Sequence, residues 1–418
     1  MASNSPTPLW PTTRREFLQF TGRGIGLLAF SRFAPSFLVN SALGASLAPE
    51  KDRSILVLVQ LAGGNDGLNT LVPYEDANYY RLRPTLGIAK DKVLRVSDTV
   101  GMHPSCVALH RLLQDGKVAA VQNVGYPNPN RSHFRSSEIW ETASSSSEFL
   151  ATGWVGRFMD NACAGQPADT HDPVGIHISN GVPQSFLSAH DHPTFGLLPA
   201  AGNRRENEEN RQLLEALVNQ PGPGENDNAT FLKHTFMDSL VTEKKVQRVL
   251  GSYQPSVSYP GNAFAASLRN VAALIAAGLP TRVYFVSLGG FDTHSNQANQ
   301  QANLLTTLSE GLGAFQKDLE LHRLDGQVTT MTFSEFGRRP SENESRGTDH
   351  GTAAPLFVMG SRVKAGLHGT APDLNVSRNQ DLSFTTDFRS VYATMLDRWL
   401  SCPSAAVLGG QFENLPII

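Results

Sequence analysis

One short apolar run, emptying into a double glycine and an acidic residue, constrains this chain more than any other feature. Ile55 to Leu61 is rich in Val, Leu and Ile and holds neither Pro nor Gly, the pattern of a strand buried on both faces of a parallel sheet. It breaks into Gly63-Gly64-Asn65-Asp66-Gly67, where glycine permits a sharp turn and close backbone approach. Asp66 therefore falls just past the carboxyl end of a central strand, where open α/β sheets receive their ligands. Taken alone, Asp66 is more simply read as an Asx-turn capping the next segment.

The layout recurs. Thr281 to Leu288 reads as a buried strand ending in Gly289-Gly290-Phe291-Asp292-Thr293-His294, and Gln327 to Phe333 as one ending in Ser334-Glu335-Phe336-Gly337-Arg338. Lys117 to Val124 is a further strand, reached through a helix that ends near Gln114, so strand, helix and strand form a βαβ unit with a right-handed crossover. A fifth strand, Pro355 to Met359, follows the loop Gly347-Thr348-Asp349-His350-Gly351-Thr352. Helices are expected over Gly153–Cys163, Phe264–Ala277, Asn303–Leu321 and Asp387–Leu400. The fold class is thus α/β, a mostly parallel central sheet flanked by helices. Residues of about 165–260 are rich in Gly, Pro, His and polar groups and read as an inserted cap over the sheet end, where substrate choice usually resides.

The loop after Lys117–Val124 carries two prolines and two asparagines before Asn130-Arg131-Ser132-His133, and a helix over His133 to Thr142 follows. Ser132 is an ordinary N-cap residue. As a nucleophile it would profit from the helix N-terminus, which favours a nearby phosphate or sulfate, but its hydroxyl needs a base or a metal to activate it.

Each acid or histidine taken singly is explained by turn chemistry. Three strands that each discharge a carboxylate at the same end are harder to dismiss, because the ends of parallel strands share one edge. Asp66, Asp292 and Glu335 are expected to converge there with His294 and His350. Several like charges at a dry edge repel unless a cation neutralises them. Carboxylate and imidazole ligands suit Zn²⁺, Mn²⁺ or a similar divalent ion, and this ligand set permits one ion or two. A two-metal site activates a nucleophile and stabilises the leaving oxygen of a phosphoryl-type transfer.

The first fifty residues carry a different signal. Thr12-Thr13-Arg14-Arg15-Glu16-Phe17-Leu18-Gln19 has the paired arginines and Phe-Leu of twin-arginine export, followed by a modestly apolar stretch and small residues near 44–48 that suit cleavage. Residues 1–48 are read as a signal peptide and 49–418 as one α/β domain, exported folded by the twin-arginine translocase to the periplasm or beyond. No stable membrane span is expected. A net charge of −3 with 17% charged residues argues against an electrostatic nucleic-acid binder. Cys106, Cys163 and Cys402 lack metal-type spacing, and one disulfide among them is the most that an oxidising compartment would allow.

The motifs TRREFLQ, LAGGNDGLNTLVPY, NRSHFRS, GGFDTHSNQ, TFSEFGR and GTDHGT run in this order from residue 12 to about 352. Together they resemble an uncharacterised family of twin-arginine-exported proteins assigned to the alkaline phosphatase and sulfatase superfamily. That resemblance implies an alkaline-phosphatase-like sheet, a bivalent metal site, and a Ser, Thr or modified Cys nucleophile at a helix start. On this likeness Asp66 resembles the first-strand metal aspartate, Ser132 the nucleophile, and His350 the late metal histidine. Asp292 and His294 resemble the later Asp–His metal pair, at narrower spacing. Ser334-Glu335 stands where an Asp-His or Asp-Asn pair is expected. His133 is unusual beside such a nucleophile and serves as ligand or proton donor, while Arg131 or Arg338 is available to hold an anionic group. The expected function is an exported metal-dependent hydrolase or transferase acting on a small-molecule or polysaccharide phosphate or sulfate ester. The alternative is a non-catalytic envelope protein that binds a polysaccharide or a protein partner.

Overall fold

The computed structural model describes residues 53–162, 173–190, 192, 194–199 and 246–418. The expected signal peptide, Cys163 and much of the expected cap lie outside the described residues.

The large sheet is built from β1 (Ile55–Ala62), β2 (Val118–Gly125), β3 (Gly175–Ile178), β4 (Thr194–Leu197), β5 (Val283–Gly289), β6 (Val328–Phe333), β7 (Ala354–Met359), β8 (Gly366–His368) and β9 (Thr386–Asp387). Their order across the sheet is β8-β2-β7-β6-β1-β5-β3-β4, with β9 also pairing with β2. Every pairing is parallel except those of β7, which runs antiparallel to both β2 and β6. The mostly parallel sheet flanked by helices is therefore the fold of this chain. β1 and β2 run the same way, as a βαβ unit requires, but β6 and β7 stand between them. β3 and β4 fall within the stretch read as a cap and instead extend the sheet beyond β5. A small antiparallel sheet joins Leu71–Val72, Gly101–Met102 and Leu94–Arg95.

β1 explains why its sequence is apolar without alternation. Ile55, Val57, Val59 and Leu61 face one side, in a cluster with Leu109 of α1 (Val107–Gln114), Leu268 of α4 (Ala263–Ala276) and Leu308 of α5 (Gln297–Leu321). Leu56 and Leu58 face the other, with Ile139 of α2 (His133–Thr142), Phe158 of α3 (Trp154–Ala162) and Phe388 of α6 (Phe388–Thr394). Both faces are covered, so each buried aliphatic contributes about 1.5–3 kcal/mol and neither face tolerates a polar substitution. The indole of Trp399 donates to Ile55 O at 2.9 Å and fixes the start of the strand.

Two helices depart from the sequence expectation. α5 starts at Gln297, six residues before the expected Asn303, because Gln297 and Gln301 are buried by hydrogen bonds to Asp66 and Asn65 rather than by apolar contacts. The helix expected over Asp387–Leu400 is α6 followed by a π-helical turn over Met395–Trp399. Cys106 and Cys402 are both buried and free. Among the described residues no helix is long and apolar enough to cross a membrane.

One buried base gives the sheet a pH dependence. Burial pushes His177 of β3 down from 6.5 to about 4, and its Nδ1 lies 2.8 Å from Ser179 Oγ. Between those values the unfolded chain binds a proton that the folded sheet refuses. Stability is therefore complete above about pH 6.5 and falls as the pH drops toward 4, by up to ~3 kcal/mol. Denaturant midpoints measured from pH 7.5 to 4 are expected to fall less steeply in His177→Leu than in the parent. Equal slopes in the two proteins would contradict this assignment.

Candidate metal centre

Carboxyl ends of β1, β5 and β6 lie side by side, and β7, being antiparallel, brings its amino end to the same edge. Gly63 and Gly64 make the tight exit from β1 with φ of +117° and +82°. A Cβ on Gly63 would stand 2.4 Å from the backbone N of Asp292, so the exits of β1 and β5 pass each other at a distance only glycine allows. Arg338 then staples these exits. Its Nε donates to Gly64 O at 2.8 Å, its Nη1 to Thr348 O at 2.9 Å, and its Nη2 to Phe291 O at 3.0 Å and to Gly63 O. A backbone bridge between Arg338 and His350 carries the latter into the same cluster.

The cluster is centred on the Asp292 carboxylate. His294 Nε2 lies 3.0 Å and His350 Nε2 3.1 Å from Asp292 Oδ1, and the two nitrogens are 2.9 Å apart. His133 Nε2 is 3.5 Å from Asp292 Oδ2. Ligand atoms of His133, Asp292 and His350 all fall within 4.8 Å of one another. Beneath them, Phe336 is 1% exposed and packs its ring 4.9 Å from that of His133 and 4.5 Å from that of His350.

The opposite edge of each ring decides what these nitrogens do. His350 Nδ1 lies 2.8 Å from Arg131 O, a carbonyl that only accepts, so Nδ1 carries the proton. His133 Nδ1 lies 2.9 Å from Glu335 Oε1, which also accepts the Gly63 N–H at 2.8 Å. His294 Nδ1 is 3.5 Å from Asp349 Oδ1, itself held by the Asn343 amide at 3.1 Å. These anchors assign the Nδ1–H tautomer to neutral rings and turn three Nε2 lone pairs toward one carboxylate. Lone pairs 2.9 Å apart beside an anion repel one another unless a proton or a cation lies between them. The donor set, imidazole and carboxylate, fits a divalent ion of the zinc or manganese type.

Electrostatics keep Asp292 ionised. Burial raises its pKa, but the guanidinium of Arg338, donating to it at 2.6 Å, is foremost among the opposing effects that outweigh burial and bring it to about 2. Burial likewise lowers the pKa of His350, which favours the neutral ring that a metal ligand requires.

Asp292, His294 and His350 thus meet as the sequence suggested, and His133 joins them. The other expected ligands do different work. Asp66 is fully buried, with its Oδ2 2.6 Å from Arg83 Nη1 and bonded also by Gln297 Nε2. Glu335, 3% exposed, spends Oε1 on His133 and on the turn after β1, so it anchors the His133 ring from behind. Arg338 is 1% exposed with its donors committed to four carbonyls, to Asp292 and, through Nη1 at 3.4 Å, to His294 Nε2; it holds the site together and has no hand free for an anionic group. Ser132 is the exposed N-cap residue of α2, next to His133; its backbone N–H donates to Asn130 Oδ1 at 2.8 Å and its side chain makes no capping bond. Sequence patterns do not single out Asp349, Asn343, Arg83 or Gln297. Asp349 alone leaves a trace there, as the acid adjoining His350.

A family profile described as "Protein of unknown function (DUF1501)" matches residues 117–407. No protein of curated function matches the chain. Among solved structures, a PsFucS1 sulfatase from Pseudoalteromonas sp. is 9% identical over 91% of this chain and 73% of its own, at a TM-score of 0.38. The C-terminal periplasmic domain of EcEptC from Escherichia coli, in complex with Zn, is 11% identical over 75% of each chain, at 0.34. The phosphonate monoester hydrolase SpPMH from Silicibacter pomeroyi is 8% identical over 86% of this chain and 77% of its own, at 0.33. Likeness at this level assigns neither activity nor ligand, and the fold class rests on the sheet itself.

Proposed function

Since this chain belongs to the DUF1501 family, whose description carries no activity, its chemistry has to be read from the centre itself, and we propose that it is an exported metal-dependent hydrolase or transferase of phosphate or sulfate esters. The observation that carries this reading is the convergence of three Nδ1-anchored histidines on Asp292. His133, Asp292, His294 and His350 would hold the ion, with Glu335, Asp349 and the Arg131 carbonyl orienting the rings. A divalent ion there supplies a Lewis acid for an ester oxygen.

The chain's own groups supply the rest. Ser132 is the nucleophile in this reading, with an exposed hydroxyl not consumed by a cap. Arg131 and Arg339 share the single carboxylate of Asp381, at 3.1 and 3.4 Å, which leaves one surplus positive charge at the rim for an anionic ester.

The test is turnover of aryl phosphate and aryl sulfate esters by the purified folded protein, alongside its metal content. Ser132→Ala is expected to abolish turnover, leave metal content unchanged, and cost no more than about 0.5 kcal/mol, since no capping bond is lost. Turnover surviving in Ser132→Ala would remove Ser132 as nucleophile. A parent that binds metal yet turns over neither ester would favour the non-catalytic reading.

Export by the twin-arginine route is part of the proposal and rests on the sequence. Replacing Arg14 and Arg15 together by Lys is expected to leave precursor in the cytoplasm, because Lys lacks the planar guanidinium. Unchanged export of the double variant would remove the twin-arginine assignment.

A further inference from the structure

The geometry points to a mononuclear centre, in which the buried guanidinium of Arg83 takes the charge-balancing part that a second ion would otherwise play. This rests on the metal reading above and decides between its one-ion and two-ion forms. Two ions in one site stand about 3.5–4 Å apart and need separate ligand sets. Asp66 and Glu335 are the two acids that would complete the second set, and both are engaged elsewhere.

Asp66 carries one negative charge, and Arg83 meets it with one permanent positive charge at 2.6 Å, both side chains being fully buried. The guanidinium is held from every other side: by Asn69 Oδ1 at 2.9 Å, Pro340 O at 2.9 Å and Arg339 O at 3.1 Å. It can neither deprotonate nor swing away without stranding these acceptors. Asp66 Oδ1 makes no hydrogen bond, but a dication bound through it would share one carboxylate with a buried cation and be repelled by it. Gln297 Nε2 bonds the same Oδ2 that Arg83 holds, and its own Oε1 accepts from Thr293 at 3.0 Å and Thr348 at 2.6 Å, so Oδ2 is fully spent. Glu335 is fixed between the Gly63 N–H and His133.

What remains is His133, Asp292 and His350, whose ligand atoms lie within 4.8 Å of one another, with His294 Nε2 3.0 Å from Asp292 Oδ1: one set of donors, enough for a single ion. Arg83 also does the structural work of the ion it replaces. Its bonds to Arg339 O and Pro340 O, with Glu342 accepting from Thr85 N at 3.0 Å and Leu86 N at 2.8 Å, anchor the loop that leads to Asp349 and His350.

The experiment is metal stoichiometry of the purified full chain, stripped with a chelator and titrated with Zn²⁺ alone, followed by calorimetry and elemental analysis. One equivalent per chain is expected, and Mn²⁺ loading should give an uncoupled electron paramagnetic resonance spectrum. Two equivalents of comparable affinity, or an exchange-coupled Mn²⁺ pair, would overturn the mononuclear assignment while leaving the metal reading intact. No bound equivalent would end both. Asp66→Asn is expected to keep the one-equivalent endpoint, with affinity within a few-fold of the parent; loss of the endpoint in a folded variant would make Asp66 a ligand and overturn the inference. The parent titration decides the matter even where that variant fails to fold.

Discussion

Arg338→Met is expected to destabilise the fold by about 3–5 kcal/mol, the range for breaking a buried charged network. Met matches much of the volume but none of the donors. Asp292 is not the main loss, because its side chain is 47% exposed and water can replace part of what Arg338 gave. The cost comes from the carbonyls of Gly63, Gly64, Phe291 and Thr348, which lose their donor in a place where the arginine is 1% exposed. Arg338→Lys should recover only a minor part, since one ammonium cannot reach across both strand exits. Urea denaturation measures this; a midpoint within error of the parent for Arg338→Met would show that the staple is dispensable.

The second large effect is on metal affinity. Asp292→Ala removes the one carboxylate toward which three imidazoles turn, and is expected to weaken Zn²⁺ binding by more than the ~10–100-fold that loss of an orienting partner costs. Glu335→Gln gives the comparison. It keeps an acceptor for His133 Nδ1 but lowers its strength, so its effect should fall inside that ~10–100-fold range. Asp292→Ala should weaken binding more than Glu335→Gln; if the order is reversed, then Glu335 is the ligand and Asp292 the orienting group.

How far the sequence could be read follows from what leaves a mark in it. A strand covered on both faces is mostly apolar or β-branched, so β1 and β5 were visible by their aliphatic runs and β6 by its Val-Thr-Thr-Met-Thr-Phe sequence, and with them the edge where Asp292 and Glu335 emerge. The start of α2 was legible for a similar reason, since prolines and asparagines stop abruptly at Ser132. Strand direction leaves no such mark. β7 looked like any buried strand, and only the folded chain reveals that its reversal is what delivers His350 to the carboxyl edge. Partner choice was equally hidden. Asp66 and Glu335 have the same local setting as Asp292, a turn after a buried strand, yet Arg83, 17 residues further along, claims the first and His133, at the start of α2, the second. Nothing in a polar stretch such as Tyr80 to Pro84 announces that its arginine is fully buried. α5 began early because amide side chains, not apolar ones, bury its first turn.

The central claim is that His133, Asp292, His294 and His350 hold a divalent ion, and anomalous scattering from crystals of the zinc-loaded protein tests it most directly. The account predicts a peak at about 2.0–2.2 Å from the Nε2 atoms of the ligating histidines and from an oxygen of Asp292. A peak at another location, or none at this one in protein that retains its zinc, would contradict it.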